Sequence, residues 1–122
     1  MEKKILVVED EPEVVNLLRT RLEANHYGVM AAGNGVEGLK QIELEKPDLI
    51  LLDILMPQMD GYTFLKELKR RKPDWNVPVI VLSAKSRMKE LFEAEGVRDY
   101  MVKPYDAQDL LERIKKQLGE TS

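Results

Sequence analysis

Polar side chains that could take part in chemistry stand at four places in this sequence, each directly after a short apolar run. They are Glu9 with Asp10, Asp53, Ser83 and Lys103. The runs before them are rich in branched residues, which is typical of strands buried on both faces. In an open sheet of parallel strands the carboxyl ends share one edge, and the ligand crevice lies outside that edge. The sequence therefore predicts that these side chains line one pocket.

The three carboxylates of this set favour a metal site. Glu9, Asp10 and Asp53 would repel one another at close range and raise one another's pKa values. A divalent cation relieves that repulsion. Oxygen ligands in a chain without cysteine favour Mg²⁺, with Mn²⁺ as an alternative, over zinc or copper.

Lys103 would add a positive charge that complements a transferring anion. One ammonium–anion pair at ~4 Å and an effective dielectric constant of ~20 gains roughly 4 kcal/mol. We therefore expect phosphoryl transfer to a carboxylate, in which Asp53 attacks in line and an acyl phosphate results. The metal and Lys103 would stabilise the phosphoryl oxygens, and Ser83 would donate a hydrogen bond to one of them.

The rest of the sequence supplies elements that could position these groups. Short apolar runs alternate with longer amphipathic stretches in five units, which indicates a parallel sheet with helices on both faces. The predicted strands are Ile5–Val8, Tyr27–Ala32, Leu49–Leu52, Val79–Leu82 and Tyr100–Val102. The fold class is therefore α/β, a doubly wound sheet.

Length and composition favour a single globular domain. We expect one domain over residues 1–122 with a core from about 3 to 118, since the chain has 43% hydrophobic and 34% charged residues. The net charge of -3 argues against direct nucleic-acid binding, and the absence of cysteine excludes disulfides and thiol nucleophiles. The longest apolar stretch, Leu49–Met56, is short and contains Asp53, so we expect no membrane span and a cytoplasmic location.

Three glycines have the spacing of a dinucleotide-binding fingerprint. Gly33, Gly35 and Gly38 follow a predicted strand and open a predicted helix. The fingerprint belongs to the first strand-to-helix turn, however, where this chain has acidic residues that would repel a pyrophosphate. We interpret the glycines and Asn34 as a turn and helix cap.

Four segments together resemble the response-regulator receiver family of two-component signalling, including the chemotaxis receivers. They are Ile5-Leu-Val-Val-Glu-Asp-Glu11, Leu52-Asp-Ile-Leu-Met-Pro-Gln-Met-Asp-Gly61, Val81-Leu-Ser-Ala84 and Asp99-Tyr-Met-Val-Lys-Pro104. The resemblance implies a flavodoxin-like (βα)5 fold with strand order 2-1-3-4-5. It also implies phosphorylation of Asp53 by a partner histidine kinase or phosphotransfer protein. Mg²⁺ would be bound by Asp10, Asp53 and the main-chain carbonyl of Leu55, and Glu9 would assist through water.

The resemblance also implies a conformational switch. Ser83 would move toward the phosphoryl group, and Tyr100 would change rotamer on the face formed by the fourth helix, fifth strand and fifth helix. Tyr100 as ordinary core packing is the alternative. The Lys103-Pro104 bond is expected to be cis. The segment between Ser83 and Lys103 is shorter than is usual in the family, so we expect the fourth helix to be shortened, shifted or partly unwound.

Several hypotheses remain for the oligomeric state and for the function. Charged residues on the last units could form reciprocal ion pairs in a homodimer, namely Lys89, Asp99, Asp109 and Arg113. A pseudo-receiver, which binds a downstream partner without phosphorylation, is the second functional hypothesis. A phosphohydrolase resembling the haloacid dehalogenases is the third, but those enzymes need an acid two residues after the nucleophile, where this chain has Leu55. In the receiver family, Leu55 and Lys85 occupy positions that tune the loss of the phosphoryl group.

Overall fold

In the computed structural model, residues 2–53, 60–84 and 88–120 are described, and within them five strands and five helices alternate along the chain. The strands are β1 (Lys4–Val8), β2 (Gly28–Ala32), β3 (Leu49–Asp53), β4 (Val79–Ser83) and β5 (Asp99–Val102). The helices are α1 (Pro12–Ala24), α2 (Gly35–Leu44), α3 (Gly61–Arg71), α4 (Lys89–Ala94) and α5 (Ala107–Gln117). Among the described residues, no helix is long and apolar enough to cross a membrane.

The strands form one parallel sheet in the order β2-β1-β3-β4-β5. This confirms the predicted α/β fold and its strand order. The chain reverses its direction of progress across the sheet between β1 and β3, which is where open α/β sheets bind ligands. Register aligns the strand ends there, because Val8 pairs with Leu52 and Asp53 pairs with Leu82.

Two apolar layers cover the sheet, one on each face. Side chains alternate between them along every strand, as in β1, where Ile5 and Val7 face one layer while Leu6 and Val8 face the other. The first layer packs against α1 and α5, and the second against α2, α3 and α4. Burial on both faces explains why the strands are continuously apolar in sequence.

Side-chain caps fix the starts of three helices. Asn34, Asp60 and Asp106 accept hydrogen bonds from main-chain N–H groups in the first turns of α2, α3 and α5 respectively. Each cap therefore sets where a helix begins after the loop that leads into it.

Gly38 has a packing role that explains the third glycine of the apparent dinucleotide fingerprint. A Cβ atom at this position would lie 2.9 Å from Cε1 of Phe64. The missing side chain lets α2 approach α3, and Asn34 caps α2 as predicted. The spacing is thus accounted for by a cap and a close helix contact.

Candidate functional site

Adjacent strands deliver the predicted site residues to one edge of the sheet. Glu9 and Asp10 follow β1, Asp53 ends β3, Ser83 ends β4 and Lys103 follows β5. Glu9 and Ser83 are each only 4% exposed, whereas Asp10 is exposed. The carboxyl end of the sheet therefore presents both buried and accessible polar groups.

Three carboxylates form a compact cluster at this edge. One oxygen from each of Glu9, Asp10 and Asp53 lies within 4.8 Å of the other two. Carboxylate oxygens are the ligands that Mg²⁺ accepts, and a cation of that kind typically keeps several waters beside one or two carboxylates. The donor set therefore fits a hard divalent cation.

Lys103 provides the positive charge beside this cluster. Its Nζ lies 3.5 Å from Oδ1 of Asp53 and 3.7 Å from Oε1 of Glu9. The lysine side chain is 33% exposed, so solvent still reaches part of it. One ammonium group thus bridges acids from two different strand ends.

Glu9 is the acid most changed by its surroundings. The pKa of Glu9 is raised from its ordinary 4.5 to about 7, mainly by burial and also by the nearby charge of Asp53 and a hydrogen bond with Asp10. The N–H of Glu11, which donates to Oε2 of Glu9 at 3.1 Å, and the ammonium of Lys103 act in the opposite direction. Without a cation, the site therefore disfavours ionisation of all three carboxylates at once.

Ser83 ends β4 and Tyr100 lies in β5, the two strands that follow β3 in the sheet. The main-chain N–H of Lys103 donates to the carbonyl of Ser83 at 2.6 Å, which ties the loop after β5 to the end of β4. Tyr100 is 5% exposed and its ring centroid lies 6.1 Å from that of Phe92. This packing in the core is compatible with both interpretations of Tyr100.

Two predicted positions, Leu55 and Lys85, lie outside the described residues. The main-chain carbonyl of Leu55 therefore remains a predicted ligand. The Lys103-Pro104 peptide bond is cis, the isomer that the resemblance implies.

Tyr105 borders the site beside Lys103, although it is not among the residues predicted from sequence. Burial raises the pKa of its phenol, and the charges of Lys103 and Glu9 also act on it. Its place directly after Lys103-Pro104 is a sequence signal that could have identified it. Tyr105 also lines a groove between α1 and α5.

This groove is a largely apolar cavity of about 300 Å³, and Lys103 is one of its lining residues. Its lining includes Val14, Leu17, Leu18, Arg21, Pro104, Tyr105, Ala107 and Leu110. Leu17 is 55% exposed, so an apolar side chain in this lining is accessible from solvent. We call it the α1–α5 groove.

Comparisons with known proteins identify the family of this chain. Residues 5–115 match the family model described as the response regulator receiver domain. The alkaline phosphatase synthesis transcriptional regulatory protein PhoP of Bacillus subtilis is 43% identical over 94% of this chain and 48% of its own length. The transcriptional regulatory protein KdpE of Staphylococcus aureus is 34% identical over 100% of this chain and 55% of its own. The chain thus spans about half the length of these curated relatives.

A solved structure shows the same fold with a bound metal. The response regulator protein TrrA of Thermotoga maritima, in complex with Mg²⁺-BeF, superposes with a TM-score of 0.84 at 35% identity. The match covers 95% of this chain and 99% of that one. The match over residues 5–115 shows that the chain belongs to the response regulator receiver domain family, and the acidic cluster beside Lys103 is consistent with that membership.

Proposed function

We propose that this receiver domain is a phosphorylation switch that accepts a phosphoryl group on Asp53 from a partner histidine kinase or phosphotransfer protein. The observation that carries the proposal is the contact of Lys103 with Asp53 at 3.5 Å, beside a cluster of three carboxylates. A structural role alone would not require this many acids to share so small a volume, because like charges at close range are unfavourable.

Asp10 and Asp53 would bind Mg²⁺, with Glu9 acting through water and the main-chain carbonyl of Leu55 completing the set. A bound Mg²⁺ supplies positive charge to the phosphoryl oxygens. The closeness of the three side-chain oxygens, within 4.8 Å, supports this assignment.

The chain's own groups would perform the transfer. A carboxylate oxygen of Asp53 forms a bond to phosphorus while the bond from phosphorus to the donor nitrogen breaks, and the electron pair leaves with that nitrogen. Lys103 stabilises the negative oxygens through its ammonium group. The hydroxyl of Ser83 donates to one of those oxygens. The product is an acyl phosphate on the protein, and we infer a signalling acceptor that is not a multiple-turnover enzyme.

The α1–α5 groove supports docking of the phosphodonor. Its apolar lining, the half-exposed Leu17 and its border with Lys103 would let an amphipathic helix of the donor bind next to Asp53. We expect Leu17→Ser to slow phosphorylation by the partner while leaving phosphorylation by a small-molecule donor unchanged.

Output would pass through the face formed by α4, β5 and α5. Two relatives are named transcriptional regulatory proteins, which supports a downstream partner or output domain that responds to this face. A homodimer through the same face is a further hypothesis. In the single chain Arg113 already pairs with Asp99 at 2.7 Å and with Asp109 at 3.3 Å, so a dimer would have to exchange or share these pairs. Sedimentation with and without a phosphoryl mimic tests it, and a monomer in both states would disprove it.

Mass spectrometry after treatment with acetyl phosphate and Mg²⁺ tests the central proposal. We expect one phosphoryl adduct that disappears in Asp53→Ala and persists in the surface control Asp74→Asn. An adduct that survives Asp53→Ala would disprove the assignment of the acceptor. The absence of any adduct, with partner binding retained, would favour the pseudo-receiver.

A further inference from the structure

A cavity of about 310 Å³ lies at the amino-terminal edge of the sheet, opposite the edge that carries Asp53. Its lining comes from the end of α2 and the loop after it, and from the loop between α3 and β4, namely Ile42, Lys46, Lys72, Pro73, Asp74 and Trp75. A volume of this size, an apolar wall and a few polar groups are typical of pockets that bind small molecules. The lining shares no residue with the site around Asp53, so binding here is independent of the proposed phosphorylation.

Trp75, the one tryptophan of the sequence, supplies the aromatic wall of this cavity. Its main-chain N–H donates to the carbonyl of Lys72 at 3.0 Å, which fixes the turn after α3. The indole packs against the apolar layer beneath α2 and α3. Nζ of Lys46 lies 5.9 Å from the centroid of the Trp75 ring, within the range of a cation–π contact. The turn and the core contacts thus hold an aromatic surface and an ammonium group together at the cavity.

The indole N–H of Trp75 is buried, and within the described ranges no group accepts a hydrogen bond from it. Buried tryptophan N–H groups usually have an acceptor, because a donor without one is unfavourable away from water. Trp75 also lines a second cavity, so its ring is not closely packed on all sides and has room to turn. A ligand oxygen in the first cavity would supply the acceptor once the ring turns toward it.

Lys46 supplies a positive charge that is open to a ligand. In the part of the chain that the structure describes, Lys46 forms no ion pair, whereas Nζ of Lys72 lies 3.4 Å from the carboxylate of Glu43. Of the described lining residues, Asp74 is the only acid, and it is exposed, so solvent and salt screen its charge. The ammonium of Lys46 and the indole N–H of Trp75 are both donors, and an anionic oxygen is the group that accepts from both.

The second cavity beside Trp75 is less suited to an anion. Its volume is about 190 Å³, and both Lys69 and Glu95 belong to its lining. The ammonium of Lys69 donates to the main-chain carbonyl of Glu95 and lies 3.8 Å from the Glu95 carboxylate, so it is already engaged and holds the end of α4 to α3. The carboxylate of Glu95 would repel an anion placed there. The cavity beside Lys46 is therefore the better site.

We propose that the cavity beside Trp75 and Lys46 binds a small planar aromatic carboxylate. The ring of the ligand would lie against the indole, Pro73 and Ile42, because a flat ring can meet the indole in an offset arrangement. The carboxylate would accept hydrogen bonds from the ammonium of Lys46 and from the indole N–H of Trp75. A hydrogen bond between an ammonium and a carboxylate belongs to the stronger class.

NMR titration of the whole chain with 2-naphthoate tests the site. The single tryptophan gives one indole N–H signal, which is assigned to Trp75 without ambiguity. We expect this signal and the main-chain amides of Lys46 and Asp74 to shift with a common Kd of about 1 mM, the affinity that a ligand of this size typically reaches. Intermolecular NOEs should connect the naphthalene protons with the indole ring. The absence of any indole shift up to about 10 mM, or shifts confined to other surfaces such as the α1–α5 groove, would overturn the proposal.

The neutral ligand 2-naphthamide tests the recognition of charge. It keeps the ring and a carbonyl oxygen but lacks the negative charge. In the unsubstituted chain it should bind about three- to fivefold more weakly than 2-naphthoate, the effect of one partly screened ion pair. In Lys46→Gln the two ligands should bind equally. Equal binding of both ligands by the unsubstituted chain, or a preference that persists unchanged in Lys46→Gln, would overturn the anion site.

Two further variants are the matched controls. Lys40→Gln removes another exposed lysine charge, on α2 and outside the cavity lining, and should keep the preference for 2-naphthoate. Asp74→Asn removes the acid of the lining and should leave the binding of 2-naphthoate equal or tighter. Loss of the preference in Lys40→Gln would show that the ligand senses only the net charge of the chain and would overturn the proposal. Weaker binding of 2-naphthoate in Asp74→Asn would do the same.

Discussion

Lys103 and Asp53 form an ion pair across the carboxyl end of the sheet, with Nζ 3.5 Å from Oδ1, although they lie on different strand units. The same ammonium is 3.7 Å from Glu9, so it is shared by two acids. This sharing places the main positive charge of the site where negative charge would accumulate during phosphoryl transfer.

Replacing Lys103 should therefore slow phosphorylation. In Lys103→Met we expect adduct formation with acetyl phosphate and Mg²⁺ to be about 10- to 100-fold slower, because one preorganised positive group is lost from the site. Time-resolved mass spectrometry measures the rate. Lys40→Met, which changes an exposed lysine of α2, should keep the original rate. An unchanged rate in Lys103→Met would show that the lysine does not act on the phosphoryl group.

Removing one acid should stabilise the metal-free protein. Asp10→Asn relieves repulsion within the cluster, and we expect the free energy of unfolding without Mg²⁺ to rise by about 0.5 to 1 kcal/mol, a small effect because Asp10 is exposed. The stabilisation that Mg²⁺ gives the unsubstituted chain should disappear. Urea denaturation with and without Mg²⁺ measures the gain in the metal-free protein and the stabilisation by Mg²⁺. Glu112→Gln on α5 is the control. Retained stabilisation by Mg²⁺ in Asp10→Asn would contradict the ligand assignment.

Gly38→Ala should destabilise the fold by about 1 to 3 kcal/mol through overpacking. The added Cβ would lie 2.9 Å from the fully buried ring of Phe64, so the ring or the helix would have to shift. At Gly28 the nearest atom to an added Cβ is 3.6 Å away, an ordinary contact, so Gly28→Ala serves as the control. Thermal unfolding of both variants measures the difference. Equal stability of the two would mean that α2 can shift away from α3 at little cost.

The phenol of Tyr27 should make the free energy of unfolding depend on pH in the alkaline range. Its hydroxyl donates to Oε1 of Glu120 at 2.7 Å, and burial, followed by this carboxylate, raises the pKa of Tyr27 above its ordinary 10.0. The folded protein therefore holds the phenolic proton more tightly than the unfolded chain does. The resulting stabilisation is fully present below pH 10 and is lost as the pH rises above it.

Urea denaturation on either side of this pH measures that loss. Tyr27→Phe cannot ionise at this position, so its free energy of unfolding should fall less over the same interval. Identical slopes in the two proteins would show that Tyr27 does not contribute.

Much of the fold and part of the site could be predicted from sequence. Continuous apolar runs reveal strands that are buried on both faces, and a polar residue such as Asp53 directly after such a run must stand at a strand end. Parallel strands bring their ends to one edge, so the pattern placed Asp53, Asp10 and Lys103 at that edge, while the strand order came from the resemblance to the receiver family. The boundaries differ from prediction only slightly, as in β2, which begins at Gly28 and not at Tyr27.

The sequence by itself thus determined the sheet, the polar edge and the group of side chains gathered there, because these depend on local apolar patterns and on the direction of the strands. Only the tertiary structure decided that Lys103 is shared between Asp53 and Glu9, that burial raises the pKa of Glu9, and that α3 holds one end of α4. These features depend on distances between residues far apart in the chain. Such distances are set by how helices and loops pack on the sheet, and no local sequence pattern encodes them.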